Sequence, residues 1–266
     1  MTLPFFPPTD SPGPDFARLL GRVGLQPVVP QGDGASLAPH ATTIVALRYV
    51  DGVVMAGDRR ATAGTDIAHR GVEKVFPADR HSGVAIAGSA GMAIEMVKLF
   101  QVQLEHYEKI NGNALSLEGK ANQLAQMIRS HLPMAMQGFV IVPLFAGYDT
   151  RRHVGRIFTY DATGGRYEET DFNATGSGGR DARLTIKLGW NPDMERAAAI
   201  ELAVQALYEA ADEDSATGGP DVVRGIYPTV ATITESGYTA VTVEEVAERF
   251  AALVQRRSES AGGNVP

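Results

Sequence analysis

There is no cysteine in the 266 residues, which excludes disulfides, thiol catalysis and Cys-ligated metal sites. No run approaches the roughly 18 apolar residues needed to cross a bilayer. The N-terminus lacks the basic stretch and apolar block of a secretion signal, which predicts a cytoplasmic protein. Basic charge is also scarce. A net charge of −7 argues against a polyanion as the main partner, so neither nucleic acid nor membrane is expected. Two catalytic signatures are missing. Gly176-Ser177-Gly178-Gly179 has no Lys-Ser/Thr ending, so it is no phosphate loop, and no G-x-S-x-G elbow occurs. The histidines, at 40, 69, 81, 106, 131 and 153, fall at no metal-ligand spacing, and neither metal nor cofactor is expected.

What the chain has is enough apolar residue, 44 %, for a sizeable core. Prolines crowd its start, with eight of the fifteen between residues 1 and 41. Only "DFARLLGRV" in that stretch could make a short amphipathic helix, which buries too little to offset its ordering entropy. Residues 1–41 therefore read as a flexible leader.

From Thr42 the pattern changes. "TTIVALRY" and "GVVMAGD" read as strands joined at Asp51-Gly52, a favoured type I′ turn. Both are nearly continuously apolar, as strands covered on two faces are. "SGVAIAG" (82–88) is another strand. Helices are expected over 89–109 and 116–137, the second capped by Ser116 and kinked or shortened by Pro133. Strands return at 139–148 and 154–160, and a Gly-rich bend at 176–179 leads into a helix. Asn191 and Pro192 mark the start of a helix reaching about Ala211. Strands follow near 226–234 and 238–242. A last helix starts at Thr242 with Glu245 in capping-box register, and residues 256–266 read as a disordered tail.

This order is not the strict alternation of a parallel sheet. It predicts an α+β fold in which two mainly antiparallel sheets stack face to face with helices outside. The expected organisation is one domain over 42–255, with no internal repeat.

Thr42 and Thr43 raise the chemical question. Paired β-branched residues start strands well, and that alone explains them. The other account makes Thr42 a nucleophile once the leader is removed. A hydroxyl nucleophile needs a nearby base, and a freed α-amine with a pKa of about 7.7–8.0 is a suitable one. Asp58 and Lys74 are either surface charges, an ordinary ion pair, or partners of that threonine. Simple hairpin pairing places Asp58 opposite Val45, near Thr42 without proving contact. Gly88-Ser89-Ala90-Gly91 is a tight strand-to-helix turn, or a source of a backbone N–H for an oxyanion. Asp214-Ser215-Ala216-Thr217-Gly218-Gly219 could be a polar turn only.

Taken together, "TTIVAL", "GVVMAGDRRAT", "VEKVF", "IAGSAG", "LEHYEK", "AMQG", "AGYD", "GSGG" and "EDSATGGPDVVRGIYPT" are decisive. In order and spacing, from Thr42 to about residue 255, the chain resembles the β-type subunit of the 20S proteasome, in particular the actinobacterial form. The resemblance implies the four-layer α-β-β-α sandwich of the N-terminal-nucleophile hydrolases and the activity of a threonine endopeptidase made as an inactive precursor. Thr42 matches the nucleophile, Asp58 and Lys74 the charged pair beside it, and Gly88 the oxyanion donor. Ser177, Asp214 and Thr217 match the polar set around the amine. Arg60 and Thr62 match the strip that pairs with substrate backbone. Ala61, Val72, Ile86 and Ala90 match the specificity pocket, and their uncharged side chains predict apolar residues before the cut.

The expected self-cleavage falls between Ala41 and Thr42. The family usually has glycine at the first of these, and the stiffer alanine predicts slower maturation. By the same resemblance, seven such subunits form a ring and two rings stack. Rings of α subunits cap them, and a ring-shaped AAA ATPase feeds in unfolded proteins carrying a ubiquitin-like tag. The rival readings are a catalytically silent ring subunit, the simpler two-ring bacterial threonine protease, and an amidase of small molecules.

Overall fold

Strands that are apolar on both sides need cover on both sides, and the first two have it. In the computed structural model, which describes residues 42–262, β1 (Thr43–Tyr49) and β2 (Gly52–Gly57) lie centrally in an antiparallel sheet. The expectations for residues 1–41, Ala41 among them, lie outside the described residues, as do those for 263–266.

Six strands open the described chain. After β2 come β3 (Ala61–Ala63), β4 (Asp66–His69), β5 (Val75–Asp79) and β6 (Ser82–Gly88). Two helices follow, α1 (Ala90–Asn111) and α2 (Leu117–Ala135). Then come β7 (Ile141–Asp149), β8 (Val154–Tyr160), β9 (Arg166–Glu169) and β10 (Phe172–Gly176). Helices α3 (Gly179–Gly189) and α4 (Arg196–Glu213), strands β11 (Thr229–Thr234) and β12 (Gly237–Ala240), and helix α5 (Val243–Gly262) complete the order.

One sheet runs β10-β1-β2-β11-β12, the other β5-β6-β7-β8-β9, and β3 pairs with β4 alone. Every pairing is antiparallel. Period-2 alternation splits the side chains into separate cores. Val45, Leu47, Val54 and Ala56 pack under α3, α4 and α5 with Ile186, Ile200, Leu207 and Phe250. Ile44, Ala46, Val53 and Met55 point the other way, onto Ala85, Ala87, Leu144, Ala146 and Ile157 of the second sheet. The far side of that sheet places Val84, Ile86, Phe145 and Phe158 against Phe100, Leu104 and Leu124 of α1 and α2. Phe100 meets Phe145 edge-on at 5.9 Å between centroids, an arrangement worth about 0.5–1.5 kcal/mol beyond area burial. Three apolar layers thus separate four structural ones, the α-β-β-α sandwich the pattern predicts.

The first hairpin departs from expectation. Tyr49 pairs with Gly52, so the turn is Val50-Asp51 rather than Asp51-Gly52, and neither residue has the positive φ of a type I′ turn. Gly52 belongs to the strand because β11 crosses it closely. A Cβ there would sit 2.0 Å from the Ile233 carbonyl oxygen. The slip changes the register by two residues, and the consequence reaches the site.

Helix ends follow side-chain caps. Ser116 Oγ accepts from the Gly119 N–H at 3.1 Å, and α2 stops at Ala135, soon after Pro133. Thr242 Oγ1 accepts from the Glu245 N–H at 3.2 Å at the start of α5. Two expectations are corrected. Asn191 caps a turn, accepting from the Asp193 N–H at 3.1 Å, and α4 starts only at Arg196. Residues 256–262 are helical rather than disordered, because Arg256 and Arg257 pair with Glu201 and Glu209 of α4. No helix among the described residues is long and apolar enough to cross a membrane.

Candidate active site

With the observed register, Asp58 lies opposite Thr43, not Val45. The Thr43 N–H donates to Asp58 Oδ1 at 2.8 Å, and the Asp58 N–H donates to the Thr43 carbonyl at 3.1 Å. Lys74, just ahead of β5, donates from Nζ to Asp58 Oδ1 at 2.6 Å and to the Arg60 carbonyl at 2.5 Å. Asp58 Oδ2 accepts from the N–H groups of Arg60 (2.9 Å) and Gly218 (2.8 Å). Asp58 is 0 % exposed and Lys74 3 %. A buried carboxylate with four donors, one of them a cation, is electrostatically satisfied. The lysine carries the cost. Burial and the neighbouring Arg60 guanidinium hold its pKa below the usual lysine value, although Asp58 pulls it upward.

A second polar group gathers where β10 bends into α3. The Ser177 N–H donates to the Thr42 carbonyl at 2.9 Å, and Ser177 Oγ donates to Asp214 Oδ2 at 2.5 Å. Thr217 Oγ1 donates to the same carboxylate oxygen at 2.6 Å. Burial raises the Asp214 pKa. Donation by Ser177, Thr217 and the Ala216 and Thr217 N–H groups outweighs it, and the carboxyl stays below its ordinary value.

Thr42, itself buried, lines a narrow cleft with little free space. Among the described residues its walls include Ala61, Val72, Ile86, Ala90, Lys74 and Gly88. Gly88 ends β6 with φ +103, a conformation only glycine adopts freely, and a Cβ there would lie 2.1 Å from the Val140 carbonyl oxygen. Thus a threonine hydroxyl, a buried ammonium and a backbone turn border one small apolar space. Such a set suits nucleophilic attack on a carbonyl followed by charge stabilisation.

The structure brings together all seven residues expected to do chemistry: Thr42, Asp58, Lys74, Gly88, Ser177, Asp214 and Thr217. Ala61, Val72, Ile86 and Ala90 share the Thr42 pocket. Arg60 departs from its expected role, because its N–H and carbonyl are taken by Asp58 and Lys74. Thr62 lies in β3, paired with Ile67. The sequence reading missed Thr43, Gly178 and Gly218, which hold the site through main-chain or hydroxyl contacts, and Glu73, Ala87 and Ala93, which also line the pocket. The second threonine of the pair and the Gly218-Gly219 doublet were the available signals. Among the described residues, no group of three or more His, Asp or Glu is placed to hold a metal ion.

Two stacked antiparallel sheets, helices outside, and a buried threonine at the head of the first strand define the class, an N-terminal-nucleophile hydrolase fold. The profile described as "Proteasome subunit" matches residues 38–224. A "Proteasome subunit beta" of Acidimicrobium ferrooxidans is 61 % identical over 262 residues, covering 97 % of this chain and 96 % of that one. A protein of the same description from Streptomyces griseus is 57 % identical over 88 % of this chain and 84 % of its own length. Another from Jonesia denitrificans is 54 % identical over 89 % and 78 %. The chain belongs to the proteasome subunit family, on its bacterial β side.

Proposed function

We propose that this chain is the precursor of a catalytic proteasome β subunit with Thr42 as its nucleophile. One observation carries the reading. Thr42 shares an apolar pocket with Lys74 and Gly88 while its carbonyl is bonded to Ser177, so nucleophile, cation, oxyanion donor and polar anchor converge.

In the precursor the α-nitrogen of Thr42 is tied up in the peptide bond to Ala41. Attack by Thr42 Oγ on the Ala41 carbonyl breaks that C–N bond and forms an ester. Water hydrolyses the ester, leaving the Ala41 carboxylate, a free Thr42 amine and the restored hydroxyl. The amine is then a base on the same residue as the nucleophile. It takes the hydroxyl proton as Oγ attacks a peptide carbonyl, and the oxyanion is held by the Gly88 N–H. The proton passes to the leaving amine, and water drawn in by the Thr42 amine deacylates the enzyme. Lys74, kept charged by Asp58, lowers the pKa of nearby groups and favours the neutral amine. The pocket walls select apolar residues before the cut.

The subunit would act in the cytoplasm, in a seven-membered β ring stacked on a second ring. Capping α rings and an AAA ATPase would supply unfolded, tagged proteins. The test is peptide hydrolysis by particles assembled with an α subunit, wild type against Thr42→Ala. The variant is expected to fall to background, and equal rates would remove the proposed nucleophile. Intact mass of the same particles should show loss of residues 1–41 in the wild type alone. Retention of the leader by the wild type would instead favour a silent ring subunit.

A further inference from the structure

The second threonine does more than start a strand. Thr43 is 0 % exposed, and its hydroxyl has two polar partners. It accepts from the Gly178 N–H at 2.9 Å and lies 2.6 Å from Thr217 Oγ1. The direction of that second bond follows from its surroundings. Thr217 has one hydroxyl proton, and it goes to Asp214 Oδ2 at 2.6 Å. Asp214, ionised because its hydrogen bonds hold its pKa down, has no proton to return. The hydroxyl of Thr43 must therefore be the donor to Thr217.

The result is a one-way chain: Gly178 N–H to Thr43, Thr43 to Thr217, Thr217 to Asp214. A main-chain amide fixes one end and a carboxylate the other, so the chain cannot reverse. Thr217 is also 0 % exposed, so bulk water does not compete with the bond between the two hydroxyls. Ser177 is polarised the same way, its proton on Asp214 at 2.5 Å against 3.5 Å to the Thr42 carbonyl. Both hydroxyls around Asp214 have thus spent their protons and offer lone pairs to any further partner.

We propose that Thr43 is a positioning residue for the reaction. Its hydroxyl, donating to Thr217, reinforces the Thr217–Asp214 bond, and through Asp214 and Ser177, whose N–H holds the Thr42 carbonyl, it sets how strongly the site retains a proton on the Thr42 amine. This rests on Thr42 being the N-terminal nucleophile. An amine acting as base must aim its lone pair at its own hydroxyl, which requires its N–H bonds to find acceptors elsewhere. Acceptors that are too good hold the ammonium form and stop catalysis. By donating, Thr43 strengthens the Thr217–Asp214 bond, which disperses the carboxylate's charge and limits that retention.

Thr43→Val keeps the shape and removes the hydroxyl. The Thr217–Asp214 bond weakens, the carboxylate's charge is less dispersed, the ammonium is favoured, and the acidic limb of the rate–pH curve moves to higher pH. A shift of roughly half a unit and an about threefold lower kcat at pH 7 are expected, with KM within about twofold. Thr43→Ser restores the hydroxyl and should restore both. The experiment uses full-length precursor assembled with α subunits. Intact mass confirms leader release before kcat and KM for a fluorogenic peptide are measured across pH 5.5–9. Should Thr43→Val not assemble, Thr43→Ala carries the same test. An unshifted limb overturns the proposal, as does equal impairment of the Ser and hydroxyl-free variants, which would show a packing role. Thr42→Ala is run alongside. If it retains wild-type activity, the reading of the site falls, whereas an inactive Thr42→Ala with an unshifted Thr43→Val removes only the role of Thr43.

Discussion

Replacing Asp58 with asparagine keeps the side chain's size and removes its charge, and the structure says how much that should cost. The carboxylate accepts two hydrogen bonds at each oxygen: Thr43 N–H and Lys74 Nζ at one, Arg60 N–H and Gly218 N–H at the other. An amide has one accepting oxygen and one donating NH2. Whichever way it turns, two donors face another donor. An orphaned buried donor costs about 1–3 kcal/mol, and breaking a buried ion pair about 3–5 kcal/mol. The two terms overlap, because Lys74 counts in both. The lysine also has an escape, since burial already lowers its pKa and Asp58 is what holds it up. Without that partner it gives up its proton instead of remaining an unpaired ion. A net loss of about 3–5 kcal/mol follows, a drop of roughly 6–20 °C in unfolding temperature for a domain of this size. Thermal unfolding of assembled particles at fixed subunit concentration measures it. The double variant Asp58→Asn/Lys74→Met should lose less than the sum of the two singles. If Asp58→Asn unfolds within about 3 °C of wild type, the buried pair does not hold the site together.

Two further outcomes are expected. Ile86→Phe should crowd the pocket at Thr42, lowering kcat/KM for peptides with Leu or Phe before the cut by about ten- to a hundredfold relative to Ala, and an unchanged ratio in a peptide series would refute the pocket assignment. Alkaline pH should separate activity from stability at Lys74. Its folded pKa lies below the unfolded one, so the unfolded chain binds more protons between the two values, and the lysine's contribution to stability rises with pH across that window. The proposed mechanism uses the ammonium, so activity is expected to fall over the same window. Unfolding free energies of wild type minus Lys74→Met isolate the first trend, and peptide hydrolysis follows the second. A difference that falls with rising pH would contradict the sign.

The layers of the fold were legible because their signals are long or local. β1 and β2 read as covered strands from their unbroken apolar runs, and the caps at Ser116 and Thr242 could be read from a few residues. The short strands were not. All four residues of β4 are exposed, so no alternation marks it, and β9 and β10 are too brief to carry a period. The Asp-Gly step misled for a different reason. Its glycine serves the approach of β11, a contact between residues almost two hundred positions apart that no local pattern encodes. The same long-range register brings Asp58 to Thr43 and decides the site. Charged and hydroxylic residues there could be named from motifs. Thr43, Gly178 and Gly218 act through backbone groups or a second-rank hydroxyl, and their types alone do not advertise that.

Chain ends usually fray, because nothing restrains them on the side where the polymer stops. The bond from the Ser177 amide to the Thr42 carbonyl lies on the downstream side of that residue, and the antiparallel partners of Thr43 lie further along still. Neither depends on the peptide link upstream. Severing that link would therefore create a terminus already moored, with its freedom removed in advance by strands that were in place before the cut.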